Sequence, residues 1–250
     1  MESEQYEIMA LAEERHWWYL GLRDAIEQCL LHPSVSLPPN PRILDAGCGT
    51  GANLRFLADL LKTDRLVGFD LSEKALAYAR LKVPEATLYQ SDLRNPFLPS
   101  EPFDLVLSSD VLYVTGRESA MVGLQSICQS LTAGGIFLWN LPAYNWMMSY
   151  HDRLVHTQER FTRSGLASLC CHLGLKCLRL SYRLHFIFPL LLVNRVLRSL
   201  FSRARAHSDL KQPCPLVNRL LFDVLHIENR LIAKGLSLPW GSSVFAVCAK

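Results

Sequence analysis

From residue 42 onward, short runs of apolar residues alternate with longer stretches in which apolar positions recur at helical spacing. This alternation is typical of a parallel β-sheet with helices packed on both of its faces. We therefore predict an α/β fold. The predicted strands lie near residues 42–46, 65–69, 86–90, 103–108 and 135–140, and the predicted helices near 50–61, 72–82 and 117–131.

The two ends of the chain follow other patterns. Residues 4–31 have apolar positions at helical spacing, and the stretch HPSVSLPPNP predicts a linker that ends at Pro41. After residue 143 we predict a helix capped by Thr162 or Ser164, then strands at 175–183 and 243–249. One domain is expected, with a helical cap at 1–40, a core at 41–183, an insertion of two helices at 184–240 and a last strand at 241–250.

Composition narrows the classes of protein. Half of the 250 residues are hydrophobic and 20% are charged, which suits a globular domain, and a net charge of +3 without a basic stripe argues against a nucleic-acid partner. The eight cysteines have neither C-x-x-C nor zinc-type spacing, so we expect free thiols and no metal. No export leader stands at the N-terminus, and the apolar run 186–193 is shorter than a membrane span, so a cytoplasmic location is expected.

The segment RILDAGCGTGANL, residues 42–54, is a glycine-rich turn between a predicted strand and a predicted helix. Gly47 to Ala52 satisfies the dinucleotide fingerprint G-x-G-x-x-G/A, which would favour a pyrophosphate. Asp45 argues against that ligand, because a carboxylate beside a pyrophosphate costs several kcal/mol at an effective dielectric of about 20. A ligand carrying an ammonium or sulfonium group would instead be attracted, unless Asp45 serves as a helix cap.

Two further acids end the next two predicted strands: Asp70 in GFDLS and Asp92 in SDL. Asp70 lies about 20 residues past the glycine turn, where an acid can accept hydrogen bonds from ribose hydroxyls. Asp92 suits the exocyclic amine of adenine, since a carboxylate only accepts and that amine only donates. Ser109 and Asp110 end the fourth strand, where they would either touch the cofactor or shape a turn.

The motifs ILDAGCGTG, GFDLS, SDL, FDLVLSSDVL and LTAGG occur here in one order and spacing. Together they resemble class I S-adenosylmethionine-dependent methyltransferases over residues 42–140. The resemblance implies a Rossmann-like, mostly parallel seven-stranded sheet and S-adenosylmethionine as the cofactor, with S-adenosylhomocysteine as its product. It also implies that the glycine turn approaches the methionine part, that Asp70 holds the ribose, and that Asp92 and Leu93 frame the adenine.

Flanking segments are similar to one bacterial branch of this family that acts in polysaccharide, lipid and natural-product pathways: EERHWWYLGLR, HDRLVHTQERFT and LPWGSSVFAVCAK. The first could fold over the crevice, with Trp18 or Tyr19 shielding the sulfonium and Arg23 meeting the cofactor carboxylate, or it could serve packing alone. The predicted cofactor-binding set is Asp45, Gly47, Gly49, Gly51, Asp70, Leu71, Asp92, Leu93, Ser109, Trp18 and Arg23.

His151 and His156 are the candidate catalytic bases, because imidazole has a near-neutral pKa. The alternative for each is a local hydrogen bond. Many relatives have a histidine after the position of Tyr113, whereas this chain has Val114, which leaves a catalytically silent binding protein as one rival function. An NAD-type oxidoreductase is the other rival, supported by the glycine spacing alone.

The insertion carries Arg195, Arg198, Arg203 and Arg205 beside apolar residues. A solvated helix would explain them, and a cap for an anionic or lipid-like acceptor or a peripheral membrane contact is the alternative. The sequence thus predicts a methyltransferase that acts on an oxygen or nitrogen of a small-molecule, natural-product or amphipathic lipid or glycan acceptor. Its oligomeric state is not indicated.

Overall fold

A computed structural model describes residues 3–148, 152, 156–193 and 213–250. The described helices are α1 (Ser3–Ala12), α2 (Trp17–Leu30), α3 (Ala52–Leu61), α4 (Glu73–Lys82), α5 (Leu112–Thr115), α6 (Met121–Gln129), α7 (Arg163–His172) and α8 (Pro215–Ala233). The strands are β1 (Ile43–Ala46), β2 (Leu66–Asp70), β3 (Thr87–Gln90), β4 (Phe103–Ser109), β5 (Leu131–Pro142), β6 (Lys176–Arg183) and β7 (Ser243–Ala249).

The strands form one sheet in the order β3-β2-β1-β4-β5-β7-β6. Strands β1 to β5 run parallel, and β7 runs antiparallel to both β5 and β6. The predicted fold class, a mostly parallel seven-stranded α/β sheet, is confirmed. Because the chain leaves β1 for β2 on one side and returns to β4 on the other, a ligand crevice is expected where the carboxyl ends of β1 and β4 meet.

Both faces of the sheet are buried. On one face Phe137 and Trp139 of β5, stacked with ring centroids 4.1 Å apart, pack under residues of α6 and α7. On the other face, Ile43 and Leu105 pack against apolar residues of α2, α3 and α8. Each fully buried side chain of this size contributes about 1.5–3 kcal/mol, so these two layers hold the strand ends in place.

Helices α2 and α8 pack closely together at Gly21. A Cβ atom at this position would lie 2.3 Å from Cδ1 of Leu225, so a larger residue would force this side chain to move. This contact joins the N-terminal helices to the helix that follows the QPCP sequence. In the described part of the chain, no helix is long and apolar enough to cross a membrane, and all eight cysteines are free thiols.

Two expected elements differ from the structure. The single helical stretch expected at 4–31 is two helices, because His16 adopts an extended conformation (φ −75°, ψ 130°) and its side chain caps α2 by accepting from the Trp18 amide. Strand β5 begins at Leu131 instead of 135, because Leu131 pairs with Phe103 across a register shift. Helix α8 lies where the second insertion helix was expected, whereas residues 194–212 lie outside the described residues.

Candidate cofactor and acceptor site

The glycine loop joins β1 to α3 at the edge of the crevice. Gly47, Gly49 and Gly51 all have positive φ angles, 86°, 53° and 83°. A Cβ atom on Gly47 would lie 2.2 Å from Cγ2 of Val111, which follows β4. The loop after β1 therefore touches the residues after β4, and this contact requires glycine for both its conformation and its space.

Asp70 ends β2 and holds the glycine loop. Its carboxylate accepts hydrogen bonds from the amides of Gly49 at 2.9 Å and of Ser72 at 2.8 Å. Burial raises the pKa of Asp70, and these backbone hydrogen bonds oppose the rise. Asp70 thus fixes the loop relative to the start of α4, and each oxygen keeps a second lone pair for a ligand hydroxyl.

Asp45 lies inside β1 and is only 2% exposed. Its Oδ2 atom is buried and has no hydrogen-bond partner within the described ranges. Burial raises the pKa of Asp45 to about 8, with smaller contributions from the nearby charges of Asp70 and Glu13. An unsatisfied buried carboxylate is costly, so this atom calls for a cationic or hydrogen-bond-donating ligand.

Helix α1 and the turn after it lie over the glycine loop. A Cβ atom on Gly49 would lie 3.5 Å from Cε of Met9. The Thr50 hydroxyl donates a hydrogen bond to the carboxylate of Glu13, which also accepts one from Nζ of Lys82 at 2.9 Å. Since Glu13 is only 6% exposed, it fastens the N-terminal segment to the site.

Arg23 of α2 lies near the same carboxylate. One terminal nitrogen of its guanidinium donates to the carbonyl of Glu13, whereas Nε is buried and makes no hydrogen bond to any residue that the structure describes. Burial lowers the pKa of Arg23, and the charge of Glu13 opposes this shift. Glu13 therefore lies near both an unsatisfied acid, Asp45, and an unsatisfied donor, Arg23.

A model of the methyltransferase domain family matches residues 43–135, which include the glycine loop and its three neighbouring strands. These residues thus match a methyltransferase domain, and the chain is similar to S-adenosylmethionine-dependent methyltransferases. An S-adenosylmethionine-dependent methyltransferase from Mesorhizobium loti has the same fold, with a TM-score of 0.56 and 18% identity, over 86% of this chain and 94% of that chain.

Two curated relatives match the same part of the chain. The dTDP-3-amino-3,4,6-trideoxy-alpha-D-glucopyranose N,N-dimethyltransferase of Streptomyces venezuelae is 35% identical over 42% of this chain and 45% of its own length. Trans-aconitate 2-methyltransferase of Variovorax paradoxus is 32% identical over 43% of this chain and 41% of its own length. The chain therefore matches less than half the length of either methyltransferase.

The residues predicted to border the adenine and the ribose differ in exposure and in their hydrogen-bond partners. Both oxygens of Asp92 accept hydrogen bonds from Nε of Arg94, at 3.0 and 2.9 Å, and Arg94 lowers the pKa of Asp92. Leu93 is buried in the core at 4% exposure, whereas Leu71 is 62% exposed beside Asp70. The Arg94 ion pair leaves Asp92 less open to an adenine amine than its sequence position indicates.

On the other side of the crevice, Ser109 supports Asp110: its hydroxyl donates to Oδ2 of Asp110 at 3.0 Å. Trp18 packs edge-on against Tyr19, with ring centroids 4.9 Å apart. Burial raises the pKa of Tyr19, and the charges of Glu13 and Asp110 raise it further, so this ring lies near both acids. Tyr19 of α2 thus lies near residues on both sides of the site.

The predicted bases are less well placed. His151 lies outside the described residues. His156 is exposed, with a positive φ of 58°, and two residues later the amide of Gln158 donates to the carbonyl of Tyr113 at 2.8 Å. The segment is therefore attached just after α5 begins, and a catalytic role for His151 or His156 stays a prediction.

Sequence reasoning missed several residues of the site. Asn140 and Arg183 are at most 1% exposed and extend the polar contacts of Asp110. A signal existed for Arg183, because it is a charged residue at the end of a predicted strand. Glu13 gave no such signal, since an acid in a helical stretch is ordinary.

The sulfur atoms of Cys170, Cys177 and Cys248 converge within 4.8 Å of one another, which their spacing in the sequence does not indicate.

Proposed function

We propose that this chain binds S-adenosylmethionine and transfers its methyl group to an oxygen or nitrogen of a small acceptor molecule. The observation that carries the proposal is two buried polar atoms that have no hydrogen-bond partner among the described residues. They are Oδ2 of Asp45, in the strand before the glycine loop, and Nε of Arg23, whose guanidinium donates to the Glu13 carbonyl. An acid oxygen and a guanidinium N–H that are both unsatisfied complement the ammonium and carboxylate of an amino-acid end. A pyrophosphate would satisfy only the arginine.

The other residues complete a binding site of the expected chemistry. The Asp70 carboxylate would accept from ribose hydroxyls, and Asp92 with Leu93 would border the adenine. Gly47, Gly49 and Gly51 let the backbone approach the methionine part without a side chain in the way. Trp18 or Tyr19 would border the sulfonium, because aromatic faces attract cations.

The cofactor would supply a methyl carbon bonded to a positively charged sulfur. What this chain adds is position: the loop after β1 and the residues after β4 would hold the donor and the acceptor in line. Proximity of this kind can supply roughly 7–11 kcal/mol of the barrier. Burial raises the pKa of Asp45 to about 8, and a bound ammonium group would favour its ionised form.

The curated relatives indicate the class of the acceptor. One relative is named for an amino sugar and the other for trans-aconitate, so a small, polar metabolite in the cytoplasm is proposed for this chain as well. Contact of the insertion with a membrane surface, through Arg195 and Arg198, belongs to the same proposal, and both residues lie outside the described part. An amphipathic lipid or glycan acceptor would need that contact.

Calorimetric titration tests the cofactor. We expect saturable heat with S-adenosylmethionine and S-adenosylhomocysteine and none with NAD, and we expect Arg23→Gln to weaken binding of both. A matched Arg219→Gln variant on the exposed face of α8 should bind like the wild type. Tight NAD binding without S-adenosylhomocysteine binding would overturn the proposal. Labelled methyl transfer into a metabolite extract then separates an enzyme from a silent binding protein.

A further inference from the structure

Asp110 occupies the acceptor side of the crevice. It directly follows β4, has a positive φ of 53°, and precedes Val111, the residue that contacts Gly47. A side chain held in the left-handed region is uncommon outside glycine, and such positions cluster at functional sites. Asp110 therefore lies at the carboxyl end of β4, next in the chain to the residue that borders the glycine loop.

A buried hydrogen-bond chain orients the Asp110 carboxylate. Its Oδ2 atom accepts from Nδ2 of Asn140 at 2.6 Å and from the hydroxyl of Ser109 at 3.0 Å. The Oδ1 atom of Asn140 accepts in turn from Arg183 at 3.0 Å. The other oxygen of Asp110, Oδ1, makes no hydrogen bond to a residue in the ranges given above, so it is open to a ligand.

Residues far from the glycine loop hold this chain in place. Arg183 also donates to the carbonyl of Gly21 at 2.8 Å, and Asn229 of α8 donates to the same carbonyl at 2.8 Å. Asn229 further donates to Asp24, which contacts Nδ1 of His226 at 2.8 Å. Helices α2 and α8 thus set the direction of a carboxylate that neither of them carries.

The carboxylate of Asp110, with one oxygen left unpaired among the described residues, favours a cationic acceptor. Besides Asp110, Asp45 lies in β1 and Asp70 ends β2, whereas Glu13 lies in the turn after α1. Tyr19 of α2 lies near both Glu13 and Asp110. Arg183 and Arg160 are the cations that act on Asp110, and both hydrogen-bond to other groups. An acceptor that enters as an anion would meet repulsion on this side.

We propose that Asp110 recognises the acceptor: its carboxylate binds the ammonium group of an amine and takes the proton that the amine must lose before methylation. This inference rests on the proposed function and names its substrate class, an amine rather than a carboxylic acid. Burial, opposed by the hydrogen bonds of Asn140 and Ser109, raises the pKa of Asp110 to about 6. A carboxylate with such a pKa exchanges a proton near neutral pH.

The step is balanced as follows. The ammonium R–NH₃⁺ gives one proton to the Asp110 carboxylate, which becomes the neutral acid. The nitrogen lone pair then forms the N–CH₃ bond as the C–S bond breaks and its electron pair returns to sulfur. The products are a methylated ammonium and S-adenosylhomocysteine, and Asp110 releases its proton to solvent.

The test uses two probes of one shape and opposite charge, cyclohexylamine and cyclohexanecarboxylate, titrated into the protein saturated with S-adenosylhomocysteine. We expect cyclohexylamine to bind about tenfold or more tightly than the carboxylate. Asp110→Asn keeps the size and the acceptor atom for Asn140 and should weaken cyclohexylamine binding about tenfold, with S-adenosylhomocysteine affinity unchanged. The control Asp59→Asn makes the same charge change on the exposed surface of α3 and should leave both affinities unchanged.

Equal binding of the two probes, binding of neither, or wild-type amine affinity in Asp110→Asn would each overturn the assignment. A second readout is the stability of the product formed from labelled methyl donor and a metabolite extract: N-methyl groups survive mild alkali, whereas methyl esters release methanol. Release of labelled methanol would also count against an amine. If S-adenosylhomocysteine itself does not bind, the proposed function has failed before Asp110 is tested.

Discussion

The two halves of the crevice are built in different ways. The half around the glycine loop is assembled from residues close in the chain: Asp45, the loop itself and Asp70 lie within one strand-turn-helix-strand unit, joined by the 2.9 Å bond from the Gly49 amide. The half around Asp110 needs Asn140 and Arg183, which come from two later strands, and the backbone of Gly21.

This difference has a physical consequence. A site built from a local unit depends on backbone conformation, so a single glycine can decide it. A site built from distant residues depends on the packing of whole helices, so its weak points lie far from the ligand. We expect the two halves to fail separately, the first through its loop and the second through its buried network.

The largest effect is expected from Arg183→Met. Removing this buried guanidinium leaves Oδ1 of Asn140 without its donor and the Gly21 carbonyl with Asn229 alone, and the free energy of unfolding should fall by about 4 kcal/mol. Denaturant unfolding measures the loss, with exposed Arg219→Met as the control, expected to change by less than about 0.5 kcal/mol. If the folded variant loses affinity for S-adenosylhomocysteine by the same factor as for cyclohexylamine, the two halves of the site are not independent.

Gly47→Ala should damage the other half. The new Cβ would lie 2.2 Å from Val111, and alanine would also be strained at a φ of 86°. Together we expect a loss of about 3 kcal/mol in unfolding free energy and no measurable S-adenosylhomocysteine binding. Gly174→Ala isolates the backbone cost, because Gly174 has a φ of 73° with nothing within 4 Å, and should lose about 1 kcal/mol.

The same contrast explains what the sequence could predict. The five parallel strands, the glycine turn and Asp45 were recognisable because alternation of apolar runs and local spacing carry that information. The break between α1 and α2 could not be predicted, because it depends on the conformation of His16 and on the hydrogen bond between Thr50 and Glu13. The Asn140–Arg183 contact joins residues 43 positions apart on strands separated by β7, and no local pattern encodes it.

Asp45→Asn should weaken S-adenosylhomocysteine binding roughly 30-fold, or about 2 kcal/mol. The substitution should also make the ligand-free protein more stable than the wild type, by an amount that increases as pH rises. The pKa of Asp45 is raised to about 8 in the folded state, from about 3.9 when unfolded. The folded wild type therefore holds an extra proton between these values, and its stability is lost as pH rises through this window.

Unfolding curves of wild type and Asp45→Asn at acid, neutral and mildly alkaline pH test the sign. The free energy of unfolding of the variant, relative to that of the wild type, should increase from about pH 4 to about pH 8 and stay constant above that range. A difference in unfolding free energy that decreases with rising pH would mean that Asp45 is ionised and hydrogen-bonded in the absence of ligand. That result would also remove the main support for the proposed cofactor.

The smallest effect is expected where the two halves are joined. Thr50→Val removes the hydrogen bond from the glycine loop to Glu13 but keeps the shape of the side chain, and Lys82 still contacts Glu13. We expect a loss of about 1 kcal/mol in unfolding free energy and about fivefold weaker S-adenosylhomocysteine binding. Thr115→Val removes a comparable local hydrogen bond, to the Leu112 carbonyl, and serves as the control.

Thr50→Val also tests whether the two halves of the site are coupled, because its effects on S-adenosylhomocysteine and on cyclohexylamine binding can be compared. Tyr19 and Arg23 follow Glu13 on the N-terminal helices, and Tyr19 also lies near Asp110. If α1 and α2 move as one unit, loosening Glu13 should weaken cyclohexylamine binding along with the cofactor product. If only S-adenosylhomocysteine binding changes, then the contacts of Gly21 with Arg183 and Asn229 hold α2 without Glu13, and the acceptor half is independent of the helix that covers the glycine loop.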